Sequence, residues 1–257
     1  MLFVSHGAPT LLLEPGETGW TWQQVGRNMP KPSAILVVSA HWETDIPTLT
    51  LAPYPETIYD FSGFPSELYE LEYPAPGAPE LAKSAASALQ QAGIPARLDE
   101  ARGLDHGAWV PLSFMFPAAD IPVTQLSIQP DRGPPWHIAL GRALRPLREQ
   151  GVLIVGSGSI SHNLRALSKH PQDEPAPGWV TEFCDWMSAR INAGAIDALS
   201  AYRSLAPHAV QNHPTEEHLL PLFIALGAAN ENGSVKRLNH VMTYGMLAMD
   251  AWVFDSV

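Results

Sequence analysis

Cysteine, basic residues and long apolar runs are scarce in this chain of 257 residues, and each scarcity excludes a class of protein. Cys184 is the only cysteine, which rules out an intrachain disulfide and a cysteine-rich zinc site and fits a reducing cytoplasm. Lys and Arg number 15 against 26 Asp and Glu, so the formal charge is -11. A nucleic-acid or anionic-membrane partner is therefore not expected, whereas a small anionic substrate remains compatible with a local metal or arginine.

The N-terminal segment and the apolar runs lead to an expected location. The opening residues MLFVSHGAPT have neither the basic segment nor the long apolar core of a secretory signal. No stretch approaches the roughly 20 apolar residues that a membrane span requires. We therefore expect a cytoplasmic protein that has no membrane partner.

Several catalytic motifs are missing as well, whereas histidine is abundant. The chain contains no HExxH zinc motif, no P-loop, no EF-hand loop and no GxSxG nucleophile elbow. It does contain ten histidines. Histidine is the commonest metal ligand and the natural acid or base near neutral pH, so the histidines are the first candidates for a functional site.

Short apolar runs alternate with helical patterns along the chain. Nearly continuous apolar runs predict buried strands at 2–4, 34–38, 123–128 and 152–155. Amphipathic patterns predict helices at 79–92, 136–150 and 179–193. The alternation predicts an α/β fold, a single three-layer domain over 1–257 with a central, mostly parallel or mixed sheet flanked by helices. The segment 44–79, rich in proline, glycine and aromatic residues, predicts a long ordered loop that covers a site.

Three histidines follow predicted strands. His6 comes after the first strand, His41 after the second, and His162 in the turn after 152–155. Ligands of open α/β sheets bind at the carboxyl ends of the strands, so these side chains are expected to share one site. A hydrogen-bonded loop histidine is the alternative for each of them taken alone.

Two further histidines stand in distinctive contexts. His218 precedes the apolar run LLPLFIALGAA, which predicts a helix with Pro221 in its first turn. His106 lies between glycines in GLDHGAW, where Asp105 is expected either to orient its ring or to cap a turn. The remaining histidines considered, in helical or polar surface contexts, are interpreted as structural: His137, His170, His208 and His240.

Six blocks of this sequence, in order, resemble the DODA-type extradiol dioxygenases, the 4,5-DOPA dioxygenase group of the class III, LigB-type superfamily. The blocks are FVSHGAPT, ILVVSAHWET, LDHGAW, IPVTQLSI, GSGSISHNL and PTEEHLLPLFIALGAA. The likeness runs from about Leu2 to the C-terminal MTYGMLAMDAWVF and so covers essentially the whole chain.

The resemblance implies a set of site residues. His6, His41 and His218 are implied as metal ligands, although Glu216 or Glu217 is an alternative for the third position because other branches use two histidines and a glutamate. His162 is implied either as a fourth ligand or as an acid/base group. His106 is implied as the second acid/base histidine.

The implied activity is ring opening of a catechol-type, DOPA-like substrate by a non-haem metal-dependent extradiol dioxygenase. One divalent ion per chain is implied, Fe(II) for catalysis, with Zn(II) also compatible with nitrogen ligands. The partners are then a small aromatic diol and O2. Phe61, Phe64 and Tyr69 are candidates to stack on the ring, with packing of the long loop as the alternative role, and a substrate carboxylate would meet Arg102, Arg165 or His213. A zinc-dependent hydrolase and a metal-bearing, non-catalytic binding protein on the same scaffold are the alternatives.

Overall fold

A computed structural model describes residues 1–168, 170, 174–230 and 233–254. The strands are β1 (Leu2–Ser5), β2 (Ala34–Glu43), β3 (Thr48–Thr50), β4 (Arg97–Asp99), β5 (Val123–Ile128), β6 (Val152–Gly158), β7 (Val235–Asn239), β8 (Met242–Thr243), β9 (Leu247–Ala248) and β10 (Ala251–Phe254). The helices are α1 (Gly16–Asn28), α2 (Pro79–Gln91), α3 (His106–Met115), α4 (Gly133–Leu144), α5 (Leu164–Leu167), α6 (Gly178–Asn192), α7 (Ile196–Ser200), α8 (Tyr202–Leu205), α9 (Ala209–Asn212) and α10 (Leu220–Ala228). Short 3-10 helices lie at Pro9–Leu12, Ser66–Glu70, Pro130–Arg132 and Arg145–Gln150.

The central sheet is mixed and has eight strands in the order β4-β3-β5-β2-β6-β1-β10-β7. Its middle is parallel, because β2 pairs in parallel with β5 and β6, and β6 pairs in parallel with β1. Antiparallel pairs join β10 to β1 and to β7. The carboxyl ends of the parallel strands therefore meet at one edge of the sheet, where α/β proteins place their ligands.

Helices cover both faces of the sheet and create two separate cores. Side chains alternate along β2: Leu36 and Val38 join the core with α2, α4, α6 and α10, whereas Ile35 and Val37 join the core with α1 and α3. This period of two is the strand geometry that places successive side chains on opposite faces. The predicted three-layer α/β architecture is confirmed. Within the described residues, none of the helices has the length and apolar character of a membrane span.

Two local predictions need correction. Strand β2 continues to Glu43 instead of ending at residue 38, so His41 lies in the last part of the strand and not after it. Its pairing with β6 ends at Ser39, and the register with β5 shifts beyond Val38. The segment 44–79 is not only a loop, because it contains β3 and the 3-10 helix Ser66–Glu70. Short polar and proline-containing pieces concealed both features from a periodicity analysis.

Candidate metal centre and active site

Three histidines from three elements converge at the carboxyl edge of the sheet. His6 follows β1 and its backbone N–H donates to the Gly158 carbonyl, at 3.0 Å. The Nε2 atoms of His6 and His41 are 3.0 Å apart. His218, just before α10, places its ring centroid 5.4 Å from that of His6 and 4.9 Å from that of His41. One ring nitrogen from each histidine lies within 4.8 Å of the others, close enough to share one ion.

The second nitrogen of each ring faces an oxygen atom that favours a proton on that nitrogen. Ser157 donates its only hydroxyl hydrogen to the Gly107 carbonyl, so it accepts from His6 Nδ1 at 2.9 Å. His218 Nδ1 donates to the Glu217 carboxylate at 3.0 Å. His41 Nδ1 lies 3.3 Å from a carboxylate oxygen of Asp60, whose charge favours a proton on that nitrogen. All three Nε2 atoms therefore carry lone pairs.

These lone pairs fit a divalent cation. Two lone pairs 3.0 Å apart repel each other unless a cation lies between them. Metal–imidazole bonds of about 2.0–2.1 Å give separations of roughly 3 Å between neighbouring ligands. A partner on the second nitrogen is the usual arrangement around a metal-binding histidine. The donor set of His6, His41 and His218 thus fits Fe(II) or Zn(II), which both accept imidazole.

Burial keeps the same rings neutral. Loss of solvation, reinforced by neighbouring histidines, lowers the pKa of His6 and His218 well below the ordinary value. Burial and the nearby His106 lower the pKa of His41 to about 4. Since only the neutral imidazole binds metal, all three side chains are in their ligating form at neutral pH.

His106 begins α3 beside this cluster, and its ring centroid is 4.0 Å from that of His41. Its backbone N–H and its Nδ1 both donate to Asp60, each at 2.9 Å. Burial raises the pKa of Asp60, but the hydrogen bonds and charge of His106 outweigh it and bring the pKa to about 2, so Asp60 is a carboxylate. His106 Nε2 is consequently free to accept a proton.

Asp105 has neither of its two predicted roles. It precedes α3 but makes no side-chain capping bond, and it does not contact the His106 ring nitrogen. Instead this fully buried carboxylate accepts hydrogen bonds from Ser39, Arg102 and Gln125. The residue that orients His106 is Asp60, which lies 46 positions earlier and outside the six sequence blocks.

His162 stacks on His218. The two ring centroids are 3.5 Å apart and the planes differ by 9°. An imidazole binds a metal through a lone pair in the plane of its ring, and two nearly parallel, stacked planes do not meet near the rings. This arrangement favours the acid/base alternative for His162 over the fourth-ligand alternative.

The two glutamates considered for the third ligand position have other partners. Glu217 accepts a hydrogen bond from His218 Nδ1, and Glu216 accepts one from the Tyr202 hydroxyl at 2.8 Å. Neither carboxylate belongs to the group formed with His6 and His41. The geometry therefore favours His218 over both glutamates.

A cavity of about 480 Å³ opens above the histidines. Its walls include two of the three predicted stacking residues, Phe61 and Phe64, and the catalytic candidates His106 and His162, whereas Tyr69 is not among the lining residues. His170, interpreted from the sequence as structural, also lines it, as do Tyr244 and three leucines, Leu164, Leu167 and Leu247. The sequence around His170 did not predict that it lines the cavity, because segments that are distant along the chain pack together to form the cavity wall.

The three residues predicted to contact a substrate carboxylate are not among those that line the cavity. His213 is fully buried, its Nε2 donates to the Ile160 carbonyl at 2.7 Å, and it is not among the cavity residues. Arg102 donates to the buried Asp105 at 3.0 Å and also lies outside the cavity. Arg165 is likewise not one of the lining residues. The prediction that His213 contacts substrate is thus not supported by its position, because its polar group is used to hold the loop that carries His162.

A sequence model of one protein family matches almost the whole chain. The family is described as the catalytic LigB subunit of aromatic ring-opening dioxygenase, and the match covers residues 1–254. The chain belongs to this family of aromatic ring-opening dioxygenases, as its sequence blocks predict. Membership implies an aromatic substrate and dioxygen.

Individual relatives are similar over most of their length. A 4,5-DOPA dioxygenase extradiol from Beta vulgaris is 40% identical over 258 residues, which cover 99% of this chain and 96% of that protein. One of the same name from Escherichia coli (strain K12) is 43% identical over 230 residues, covering 88% of this chain and 84% of that protein. A crystal structure of an uncharacterized protein from Escherichia coli K12 matches with a TM-score of 0.80 and 35% identity, covering 98% of this chain and 97% of that one. The hydrolase and binding-protein alternatives are not favoured by these relatives.

Proposed function

We propose that this enzyme opens the ring of a catechol-type, DOPA-like substrate next to its two hydroxyl groups, using a mononuclear non-haem metal. The observation that carries the proposal is the convergence of three neutral imidazole nitrogens beside two further histidines in one cavity. The names of the relatives, 4,5-DOPA dioxygenase extradiol, support a catechol as the substrate class.

His6, His41 and His218 are proposed to hold one divalent ion. Fe(II) bound there would supply Lewis-acid binding of both catechol oxygens and the redox chemistry that activates dioxygen. Zinc would fit the same nitrogens but has no redox chemistry. A zinc-loaded enzyme is therefore expected to bind catechol without opening it.

The chain's own groups are proposed to move the protons. His106 Nε2 accepts a hydroxyl proton from the substrate, and the resulting imidazolium is stabilised by Asp60, which hydrogen-bonds to Nδ1 at 2.9 Å. Burial lowers the pKa of His162 to about 4, so this ring is neutral at the outset and is able to act as a second acceptor. Phe61 and Phe64, whose ring centroids are 5.5 Å apart, provide the apolar wall that excludes water from the substrate ring.

The proposed catalytic unit is the whole chain, 1–257, as one domain. Its support is the continuity of the family match over residues 1–254 and the eight-stranded sheet at whose carboxyl edge the site histidines gather. A cytoplasmic location is proposed with it, on the ground that the only cysteine, Cys184, is a buried free thiol.

Anaerobic loading with Fe(II), followed by a panel of catechols and then oxygen, tests the activity. Oxygen consumption together with a yellow ring-opened product is the expected result, and the zinc-loaded enzyme is the matched control that should consume none. If iron-loaded protein consumes no oxygen with any catechol in the panel, the proposed function is wrong.

A further inference from the structure

One carboxylate, that of Asp60, connects two histidines of different predicted roles. Its Oδ1 accepts from both the backbone N–H and Nδ1 of His106, each at 2.9 Å, and its Oδ2 lies 3.3 Å from Nδ1 of His41. Asp60 sits in the segment between β3 and α2, directly before Phe61, whose ring contacts that of His106 edge-on at 5.7 Å. Asp60 thus lies against both histidine rings, and the next residue, Phe61, forms part of the cavity wall.

Because the Asp60 carboxylate lies between the rings of His41 and His106, it influences which nitrogen of each ring carries the proton. A carboxylate can only accept hydrogen bonds, so Asp60 favours the Nδ1–H form of His106, to which it is hydrogen-bonded, and its negative charge favours the same form of the neighbouring His41. The Nε2 atoms of both rings are then left with lone pairs, that of His41 lying 3.0 Å from His6 Nε2 and that of His106 belonging to a residue that lines the cavity.

We propose that Asp60 is a positioning residue that sets the tautomers of His41 and His106 together, presenting one Nε2 to the metal and the other to the substrate. The inference rests on the proposed function for the role of His106, but its effect on His41 concerns metal binding alone. Asp60 thereby links metal binding by His41 to proton acceptance by His106.

Asparagine at position 60 is informative because it cannot serve both rings. It has one acceptor oxygen and one donor amide in place of two acceptor oxygens. With the oxygen kept on His106, the amide faces His41 Nδ1 and shifts its proton to Nε2, the atom that should bind metal. With the amide on His106, two donors face each other and His106 loses its orientation. Either rotamer impairs one of the two histidines.

The experiment compares wild type, Asp60→Asn, Asp60→Glu and a charge-matched control, Asp120→Asn. Asp120 pairs with Lys31 on the surface, where its side chain is 53% exposed, so this control removes one negative charge without touching the site. Cobalt(II) titration followed by its absorption gives metal affinity, and initial rates at saturating metal give kcat and KM. Nitrogen-15 spectra of histidine-labelled, zinc-loaded protein report the tautomers directly.

Asp60→Asn is expected to lower either metal affinity or kcat by about 10–100-fold, the effect typical of losing a hydrogen-bond partner of a metal-binding histidine. At least one of the two rings is expected to change tautomer. Asp60→Glu, which retains a carboxylate, should recover part of the loss, and Asp120→Asn should match wild type. Unchanged tautomers, or unchanged affinity together with unchanged kcat, would overturn the inference. If wild type binds cobalt but opens no catechol, the proposed function fails while the affinity and tautomer measurements still decide the role of Asp60.

Discussion

Replacing His162 by alanine separates metal binding from proton transfer. The ring of His162 is stacked on that of His218 at a centroid distance of 3.5 Å, with planes that differ by 9°. Stacked, nearly parallel rings direct their in-plane lone pairs along nearly parallel planes, which favours His162 as an acid/base group, although one nitrogen of each ring and a Glu217 oxygen lie within 4.8 Å of one another. His162→Ala should therefore remove a proton acceptor and leave the ligand set of His6, His41 and His218 intact.

The expected sizes of the two effects differ strongly. Loss of a general acid or base costs about 10²–10⁴-fold in rate. Metal affinity should stay within about threefold of wild type, below the 10–100-fold that follows loss of even a hydrogen-bond partner of a ligand. His41→Ala is the matched comparison, since it removes a ligand nitrogen and should weaken metal binding by more than about 100-fold.

Two assays on the same preparations distinguish these outcomes. Competition between protein and a chelator for cobalt(II) measures affinity, and oxygen uptake at saturating Fe(II) measures kcat. The reasoning is refuted if His162→Ala loses metal as severely as His41→Ala. It is also refuted if His162→Ala keeps the full rate, because His162 would then be a structural loop histidine.

Three further predictions concern stability. Gly158→Ala would place its Cβ against the His218 carbonyl oxygen. Overpacking of this kind destabilises a fold by about 1–3 kcal/mol, and here it should also weaken metal binding. An unchanged urea midpoint together with an unchanged cobalt affinity would contradict this prediction. Asp105→Asn should destabilise the fold because Arg102 loses its ionised partner. The expected loss is about 1.5–3 kcal/mol, the contribution of a hydrogen bond to a charged group. Equal free energies of unfolding for the variant and the wild type would refute this prediction. Burial lowers the pKa of the fully buried His137 to about 4, despite its bond to the Gly133 carbonyl. Below about pH 6.5 the unfolded chain therefore binds a proton that the folded protein refuses, and stability falls by about 3 kcal/mol as the pH approaches 4. His137→Gln should lose that part of the pH dependence, and identical slopes for the two proteins would contradict the assignment.

Local sequence patterns predicted the elements that bring the histidines together. Apolar runs that end in small residues marked the strands β1, β2 and β6, and their parallel pairing brings His6 and His41 to the same edge of the sheet. Pro221 in the first turn of α10 likewise marked the helix that follows His218. In each case the decisive signal lies within a few residues of the side chain that it places.

The hydrogen-bond partners of these histidines could not be predicted in the same way. Asp60 and His106 are 46 positions apart, and Ser157 and His6 are 151 positions apart, so their contacts arise only from packing of the whole fold. Proximity along the chain suggested Asp105 for His106, yet Asp105 is held by Ser39, Arg102 and Gln125. Which residue sets the tautomer of each histidine therefore depends on tertiary packing.

The stacking of His162 on His218 is tertiary as well. Both residues belong to recognisable sequence blocks, but 55 positions lie between them, and the packing of this stretch, which includes helices α5 to α9, decides the angle between their rings. Their planes differ by 9°, an angle that favours the acid/base alternative for His162 over the ligand alternative. Sequence therefore predicted the residues of the site more completely than their individual roles.

Ring opening with labelled dioxygen tests the central claim most directly. Iron-loaded enzyme, a catechol that it consumes and ¹⁸O₂ in ordinary water should give a ring-opened product that receives both labelled atoms at the cleaved carbons, before any exchange of the new carbonyl with solvent. Mass spectrometry of product trapped at early times measures this incorporation. A product that carries oxygen from water only, or a product whose ring remains intact, would contradict the assignment of this histidine cluster to an extradiol dioxygenase.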